Sequence, residues 1–469
     1  MSIHLNRLAA VCLAVGLASI NGFASSAFAQ SGGGQSRPNI VFILADDQGW
    51  NHLSVPMHDG IAGSGSDYFR TPNIERIAAS GMRFSSAYAA APMCGPSRAA
   101  LHFGKSAAQV MYSDSADEVQ AESMTIGELM QSAGYETAHF GKWWPGPSPT
   151  GLKFYDESDG AAGNDDGNLN DPANPKDIFG ITERAIAFME ASVDAGNPFY
   201  MQLSHYAPHL GFHALAETIE RWQDVEPGEI HSDPVYAAMT ENLDTGIGRV
   251  LDKLQDLGIE DNTYVIYTSD HGQTANRSTN APLAHGKGTL WDGGMRVPFI
   301  VSGPGVMPGT ISDSRVVLVD LFPTFAELAG VTESAPDDLE GGSLVPLLHG
   351  SGDVDVQRAR EELVFHYARP SGNPDFRASS SIYLENYKLL KFYDTGELLL
   401  FDIAADPREQ HELADRMPAM VEELHMRLTG YLEEVNATIP HPFTLAPGVG
   451  PGGAMGMGMA ATQAAPPEL

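Results

Sequence analysis

Asp46, Asp47, Cys94, Arg98, Lys142, His209, Asp270, His271 and Lys287 share a setting: each follows an apolar run of strand length or lies in a Gly-rich turn. Asp46 and Asp47 stand side by side after Pro38 to Leu44. One Asp there would be read as a turn or helix cap. Two in a row need a compensating charge, and a hard cation is the usual answer. Three carboxylates with a ligand-competent histidine, His271, make a divalent-cation site, and Arg98, Lys142, Lys287 and His209 can hold a tetrahedral oxyanion over a nucleophile beside it. Hydrolysis of a sulfate or phosphate ester is the chemistry such a set serves. His209 taken alone is as readily a hydrogen-bonded histidine at a core edge. Lys287, between two glycines, is poorly explained as a solvated charge, because a loop that pairs a cation with free backbone N–H groups favours an anion.

Cys94 lies in Pro92-Met93-Cys94-Gly95-Pro96-Ser97-Arg98-Ala99-Ala100-Leu101, a Gly/Pro turn with a cation four residues on. The only other cysteine, Cys12, falls in residues 1–29, which read as a signal peptide. Arg7 supplies its positive start, Leu8 to Ile20 its short apolar run and Ala27-Phe28-Ala29 its cleavage site. Export to the periplasm or beyond, with cleavage near Ala29, is expected. A membrane anchor fits less well because the run is short and holds Gly16; lipid attachment fits less well because Cys12 opens the run instead of closing it. In the exported chain Cys94 has no disulfide partner, although its compartment permits one. It is either inert and buried or chemically used, and its turn favours use.

At 469 residues and 43 % hydrophobic, the chain can build one large core and a smaller satellite. Its net charge of −33 argues against nucleic acid or an anionic membrane as partner. The same charge requires that an anionic substrate find a locally positive pocket.

Pro38 to Leu44 has the pattern of a strand buried on both faces. Tyr135 to Phe140, Phe199 to Ser204 and Tyr264 to Thr268 repeat it, and they run into Gly141-Lys142-Trp143-Trp144, His205-Tyr206-Ala207-Pro208-His209 and Ser269-Asp270-His271-Gly272. Met82 to Tyr88 is a further strand. Helices are expected from Pro72 to Gly81, Ser97 to Phe103, Thr125 to Ser132, Thr182 to Ser192, Val235 to Leu257 and Leu318 to Gly330. The alternation predicts an α/β fold, a large mixed, mostly parallel sheet sandwiched by helices, with the polar groups at the strand ends where such sheets bind ligands. From residue 359 the spacing turns hairpin-like, with strands at Leu363 to Tyr367, Ser381 to Leu384, Tyr387 to Phe392 and Leu398 to Phe401. The amphipathic helix Met417 to Glu434 completes a small α+β subdomain. The expected division is a signal peptide at 1–29, a linker at 30–37, a catalytic domain at 38–350, an antiparallel-sheet subdomain at 359–440 and a disordered tail rich in Gly, Met, Pro and Ala at 443–469. Residues 151–176 read as an irregular surface loop.

Cys94-Gly95-Pro96-Ser97-Arg98-Ala99-Ala100-Leu101 resembles the signature of the type I, formylglycine-dependent, arylsulfatase-like sulfatases of the alkaline phosphatase superfamily. The resemblance extends through Asp46-Asp47, Gly134-Tyr135 to Lys142, Pro208-His209, Asp270-His271-Gly272, Gly286-Lys287-Gly288 and Arg296-Val297-Pro298 to Leu400-Phe401-Asp402 and Asp406-Pro407. It implies an alkaline-phosphatase-like fold and a sulfuric ester hydrolase acting on aryl or carbohydrate sulfate monoesters. It also implies that a formylglycine-generating enzyme oxidises Cys94 to an aldehyde. Hydrated, that aldehyde carries two hydroxyls on one carbon. One attacks sulfur and displaces the alcohol; the other then reforms the aldehyde as the carbon–oxygen bond breaks and sulfate leaves. An ordinary Ser would stop at the stable sulfate ester.

By the same resemblance Asp46, Asp47, Asp270, His271 and modified Cys94 hold the metal, Ca²⁺ with Mg²⁺ as the alternative. Arg98 orients the two hydroxyls. Lys142, His209 and Lys287 bind sulfate oxygens, and His209 or Lys287 protonates the leaving alcohol. Relatives carry His where this chain has Trp144, so either another group, such as His139 or His205, covers that part or turnover is slow. Phe103 and Lys105 replace the usual Thr and Arg near the end of the signature. Two other readings stay open: a formylglycine-dependent phosphodiesterase or phosphonate monoester hydrolase, and a catalytically impaired protein that binds sulfated glycans. Trp50, Trp143, Trp144 and Trp291 neighbour motif residues and would suit an aromatic-lined pocket for sugar or aryl rings.

Overall fold

The structure, a computed structural model, describes residues 37–143, 154–163, 169–275, 278–350, 354–368 and 376–440. The signal peptide expected at 1–29, Trp144 and the tail expected at 443–469 lie outside the described residues. Eight strands form the main sheet: β1 (Asn39–Ala45), β2 (Gly81–Phe84), β3 (Glu136–Gly141), β4 (Glu157–Ser158), β5 (Phe199–Ser204), β6 (Thr263–Ser269), β7 (Phe299–Ser302) and β8 (Thr310–Ser312). They lie in the order β4-β3-β5-β1-β6-β7-β2-β8. The run from β4 to β6 is parallel, and only β7 opposes its neighbours. The sheet is therefore mixed and mostly parallel, as expected.

Every residue of β1 is buried, and its side chains divide by strand periodicity. Ile40, Phe42 and Leu44 pack on one face with Ala99, Leu129 and Phe325. Val41, Ile43 and Ala45 pack on the other with Ile74, Ile181 and Met239. The covering helices are α1 (Pro72–Ser80), α2 (Cys94–Phe103), α3 (Ile126–Ser132), α4 (Ile178–Ala195), α5 (Pro234–Asp256) and α6 (Leu321–Leu328). Their starts follow local chemistry. Asp233 accepts the N–H groups of Val235 and Tyr236 ahead of Pro234 in α5, and Thr125 with Glu128 forms a capping box on α3.

Two elements differ from the sequence reading. Helix α2 begins at Cys94, ahead of Ser97, because Pro96 in a first turn gives up an N–H that has no intrahelical partner anyway. The run Met82 to Tyr88 is two strands: Ala87–Tyr88 leaves the main sheet and pairs with Val316–Val317. Arg296 marks the break, donating to the Ser85 carbonyl at 2.9 Å and to Ser86 Oγ at 2.8 Å.

Strands β9 (Leu363–Tyr367), β10 (Ser379–Leu384), β11 (Tyr387–Phe392) and β12 (Leu398–Asp402) form an antiparallel sheet in sequence order. Ile382, Leu389 and Leu400 meet Leu424, Leu428 and Leu432 of helix α7 (Pro418–Glu434), so that stripe is core packing. Phe365, Tyr383 and Leu390, on the opposite face, join the main core. No helix among the described residues is long and apolar enough to cross a membrane.

Candidate functional site

The site forms where four neighbouring parallel strands end together. Past their last residues the backbone continues to pair: Asp46 N–H donates to Ala207, Asp270 N–H to Ala45, His205 N–H to Leu44 and Lys142 N–H to Ser204. These bonds bring Asp46, Asp47, Lys142, His209 and Asp270 to one edge. Asp47 adopts φ 62°, a left-handed conformation that Asp tolerates better than most residues, and its N–H donates to Asp270 Oδ1 at 3.1 Å. The glycines before both lysines are required sterically. A Cβ at Gly141 (φ 95°) would stand 2.1 Å from the Ser204 oxygen, and one at Gly286 would stand 2.3 Å from the Gln273 oxygen.

Asp47, His271 and Lys287 converge on Cys94, which is 8 % exposed. Its Sγ lies 3.1 Å from His271 Nε2, 3.5 Å from Lys287 Nζ and 3.6 Å from Asp47 Oδ1. Lys287 Nζ donates to both oxygens of Asp47, at 2.7 and 2.6 Å, and Lys142 Nζ donates to Asp46 Oδ2 at 2.6 Å. His209 Nε2 is 3.7 Å from Asp47 Oδ2. The Cys turn and the Lys287 loop are tied by Gly288 N–H donating to the Pro92 carbonyl.

Asp46, Asp47, Cys94 and His271 place one ligand atom each within 4.8 Å of one another, a buried cluster that could hold a divalent cation. The donor set fits such an ion. Asp46 Oδ1 is buried with no hydrogen-bond partner among the described residues, and Arg98 Nη2 stands 3.7 Å away, beyond hydrogen-bond reach, so the oxygen keeps a lone pair for a cation. Asp270, expected among the ligands, lies beside the cluster: Oδ1 is 3.7 Å from His271 Nε2 and accepts from Asp47 N–H, and Oδ2 accepts from Arg98 Nε at 2.9 Å. Ser97, which the sequence reading passed over, completes this support by donating to the Asp270 carbonyl at 2.6 Å.

The pocket is locally positive within an acidic protein. Burial alone would raise the Asp46 carboxyl, but Lys142, His209 and Arg98 hold it well below the usual range. Burial likewise opposes ionisation of the Cys94 thiol, yet Lys142 and Lys287 bring it down to about 7. His271, despite burial, is raised to about 9 by Asp270 and Cys94.

Other expectations meet a different geometry. His139 bonds Ser204 Oγ at 3.1 Å and packs on Trp143, away from Cys94. Burial holds it, like His205, in the neutral form. Trp50 and Trp143 are 1 % and 2 % exposed, so they brace the site from within and do not line its mouth. Trp291 is half-buried and stacks on His285. Lys105 pairs with Asp338.

The sulfatase family pattern matches residues 38–331, and that of the N-sulphoglucosamine sulphohydrolase C-terminal region matches residues 284–437. A sulfatase of Formosa agariphila is 26 % identical over 82 % of this chain and 85 % of its own length. An N-acetylgalactosamine-6-sulfatase of Canis lupus familiaris is 30 % identical, covering 70 % of this chain and 69 % of its own. The crystal structure of Ps i-CgsB in complex with k-i-k-neocarrahexaose shares the fold, with a TM-score of 0.71 at 23 % identity over 87 % of this chain and 96 % of its own. With this pattern spanning most of the described chain and a Cys-centred site at its strand ends, the protein belongs to the sulfatase family, enzymes that hydrolyse sulfate esters.

Proposed function

We propose that this sulfatase cleaves sulfate monoesters of a sugar or aryl alcohol through formylglycine made from Cys94, with Ca²⁺ as its resident cation. The observation that carries the reading is the convergence on Cys94 Sγ of His271, Lys287 and Asp47 within 3.6 Å. Sγ stands in for an oxygen of the modified side chain. Formylglycine supplies a hydrated carbonyl that can both attack sulfur and expel sulfate. Ca²⁺, favoured by the carboxylate oxygens, supplies charge that lowers the cost of a sulfate anion beside two aspartates.

The chain's own residues do the rest. Arg98, held on Asp270, is placed to fix one hydroxyl of residue 94. Lys142, Lys287 and His209, gathered on Asp46 and Asp47, bind sulfate oxygens and stabilise the charge that builds as the ester bond breaks. His209 lies at the solvent side, and Asp46 with Cys94 raises its affinity for a proton against the effect of burial. A proton held on Nε2 is therefore available to the departing alcohol. The sugar-directed activity named for the Canis lupus familiaris relative supports a carbohydrate sulfate substrate. Within this reading residues 38–350 carry the chemistry, 359–440 close one side of it, and residues 1–29 direct export. A formylglycine-generating enzyme is the maturation partner.

Mass spectrometry of the Cys94 peptide after co-expression with a formylglycine-generating enzyme tests the proposal, alongside rates on 4-nitrophenyl sulfate and bis(4-nitrophenyl) phosphate. An aldehyde at residue 94 and faster sulfate ester cleavage are expected. An unmodified thiol in a protein that turns over sulfate esters, or a preference for the phosphodiester, would overturn it.

A further inference from the structure

Lys176 closes the stretch that reads in sequence as an irregular surface loop, yet it is 5 % exposed. Lysine is rarely buried without a carboxylate partner, and among the described residues none lies within 4 Å of its ammonium. Its one hydrogen bond runs from Nζ to the carbonyl of Leu210 at 2.9 Å. Leu210 directly follows His209 of the sulfate pocket, so Lys176 is anchored to the strand-end segment that forms the pocket's wall.

The backbone that delivers this lysine is strained and braced. Lys176 and Asp177 both occupy the left-handed region, at φ 56° and 52°. An aspartate tolerates that conformation better than most residues, but a lysine is strained there unless its surroundings hold it. They do so here: Lys176 N–H donates to Leu169 O at 2.7 Å, Asn174 Nδ2 donates to Asp177 Oδ1 at 2.8 Å, and Arg184 donates to Asp177 Oδ2 at 2.6 Å. Gly211 (φ 78°) faces the ammonium, and a Cβ there would lie 3.4 Å from Nζ. Gly211, itself exposed, and His213 therefore lie beside the buried ammonium. Burial pushes the Lys176 ammonium below its ordinary value, Asp46 partly offsets this, and Lys142 acts with burial. Lys176 thus shares the electrostatic field of the catalytic pocket without being paired to it.

Building on the sulfatase reading above, we propose that Lys176 is a specificity-determining subsite that binds a second oxyanion of the substrate, a carboxylate or a further sulfate, carried on the same molecule as the scissile sulfate. A surface of strongly negative charge needs such a cation to hold a polyanionic glycan, because Lys142, Lys287 and His209 are committed to the sulfate being cleaved. The substrate class is accordingly a polyanionic sulfated glycan.

Matched aryl probes test this without assuming a sugar linkage: 4-nitrophenyl sulfate, the same ester with a ring carboxylate, and the same ester with a second ring sulfate. Native protein, K176M and K176R are compared by kcat and KM. Binding of the same probes to C94A, with and without K176M, is followed by calorimetry, a readout that needs neither formylglycine nor turnover. The expected result is that the native protein favours one or both dianionic probes, that K176M loses at least tenfold more kcat/KM on them than on the monoanionic ester, mainly through KM, and that K176R recovers part of the loss. The arm that responds tells carboxylate from sulfate. Equal losses on all three probes, or a dianion preference that survives K176M in kinetics and calorimetry, overturn the proposal. Dianion preference in the calorimetry with no turnover by native protein upholds the subsite while refuting the hydrolase reading.

Discussion

Lys388→Met tests how the small sheet is bonded to the loop that carries Lys287. Lys388 of β11 is fully buried; it donates to Asp292 Oδ1 at 2.9 Å and is also bonded to Glu409. Asp292 has further support, accepting from Tyr383 OH at 3.0 Å and Tyr88 OH at 3.1 Å, with Arg296 at 3.9 Å. Among the described residues Glu409 has only the Asp292 N–H at 2.8 Å besides Lys388. Removing the cation leaves two buried carboxylates facing each other, a loss of about 3–5 kcal/mol. Burial, with Asp292 adding to it, already raises Glu409 to about 7 in the intact network, where Lys388 opposes the rise. A carboxyl raised on folding binds its proton more tightly in the folded state, so stability falls as pH rises from the unfolded value to the folded one. In the native protein that fall ends near pH 7; without Lys388 it continues to higher pH. The deficit of Lys388→Met is therefore smallest near pH 6 and grows above pH 7 by up to about 1.4 kcal/mol per pH unit. Urea titrations of both proteins at pH 6, 7.5 and 9 measure it, and adding Glu409→Gln to the variant should remove most of the pH dependence. A deficit that does not vary with pH, or a double variant that varies like the single one, would refute the reasoning.

Three further outcomes follow from the site. Cys94→Ser keeps one hydroxyl, so it should release one equivalent of alcohol and stall as a sulfate ester on residue 94; intact-mass analysis showing repeated turnover instead would contradict the need for two oxygens. Calcium should stabilise the protein against heat relative to chelator, by about 2.7 kcal/mol at one hundred times its Kd, and Asp46→Asn should lose most of that shift. An identical calcium response in both proteins would remove Asp46 from the ligand set. Gly141→Ala, whose Cβ would stand 2.1 Å from the Ser204 oxygen at φ 95°, should cost on the order of 3 kcal/mol and displace Lys142. A variant with native stability and native KM would show that this strand end can shift freely.

Sequence alone determined the strand ends and the list of groups that meet there, because alternation and chain punctuation are local. A run such as Ile40 to Leu44, short and rich in β-branched residues, has the pattern of a strand covered on both faces, and a Gly before Lys142 or Lys287 signals a close approach before the neighbour is known. Direction and pairing were decided only in three dimensions. Asp270 stands next to His271 in sequence, and only the fold shows that its carboxylate also meets Arg98 and Asp47 N–H while Ser97, on another element, holds its carbonyl. Trp50 and Trp143 lie beside site residues but point inward, where they pack against Arg296 and His139. Lys176 belongs to a stretch whose composition says surface; its burial depends on Leu210, 34 residues away. Lys388, Asp292 and Glu409 carry no local sign of one another. Each of these turns on a long-range contact whose energy depends on desolvation and geometry, quantities that spacing along a chain does not encode.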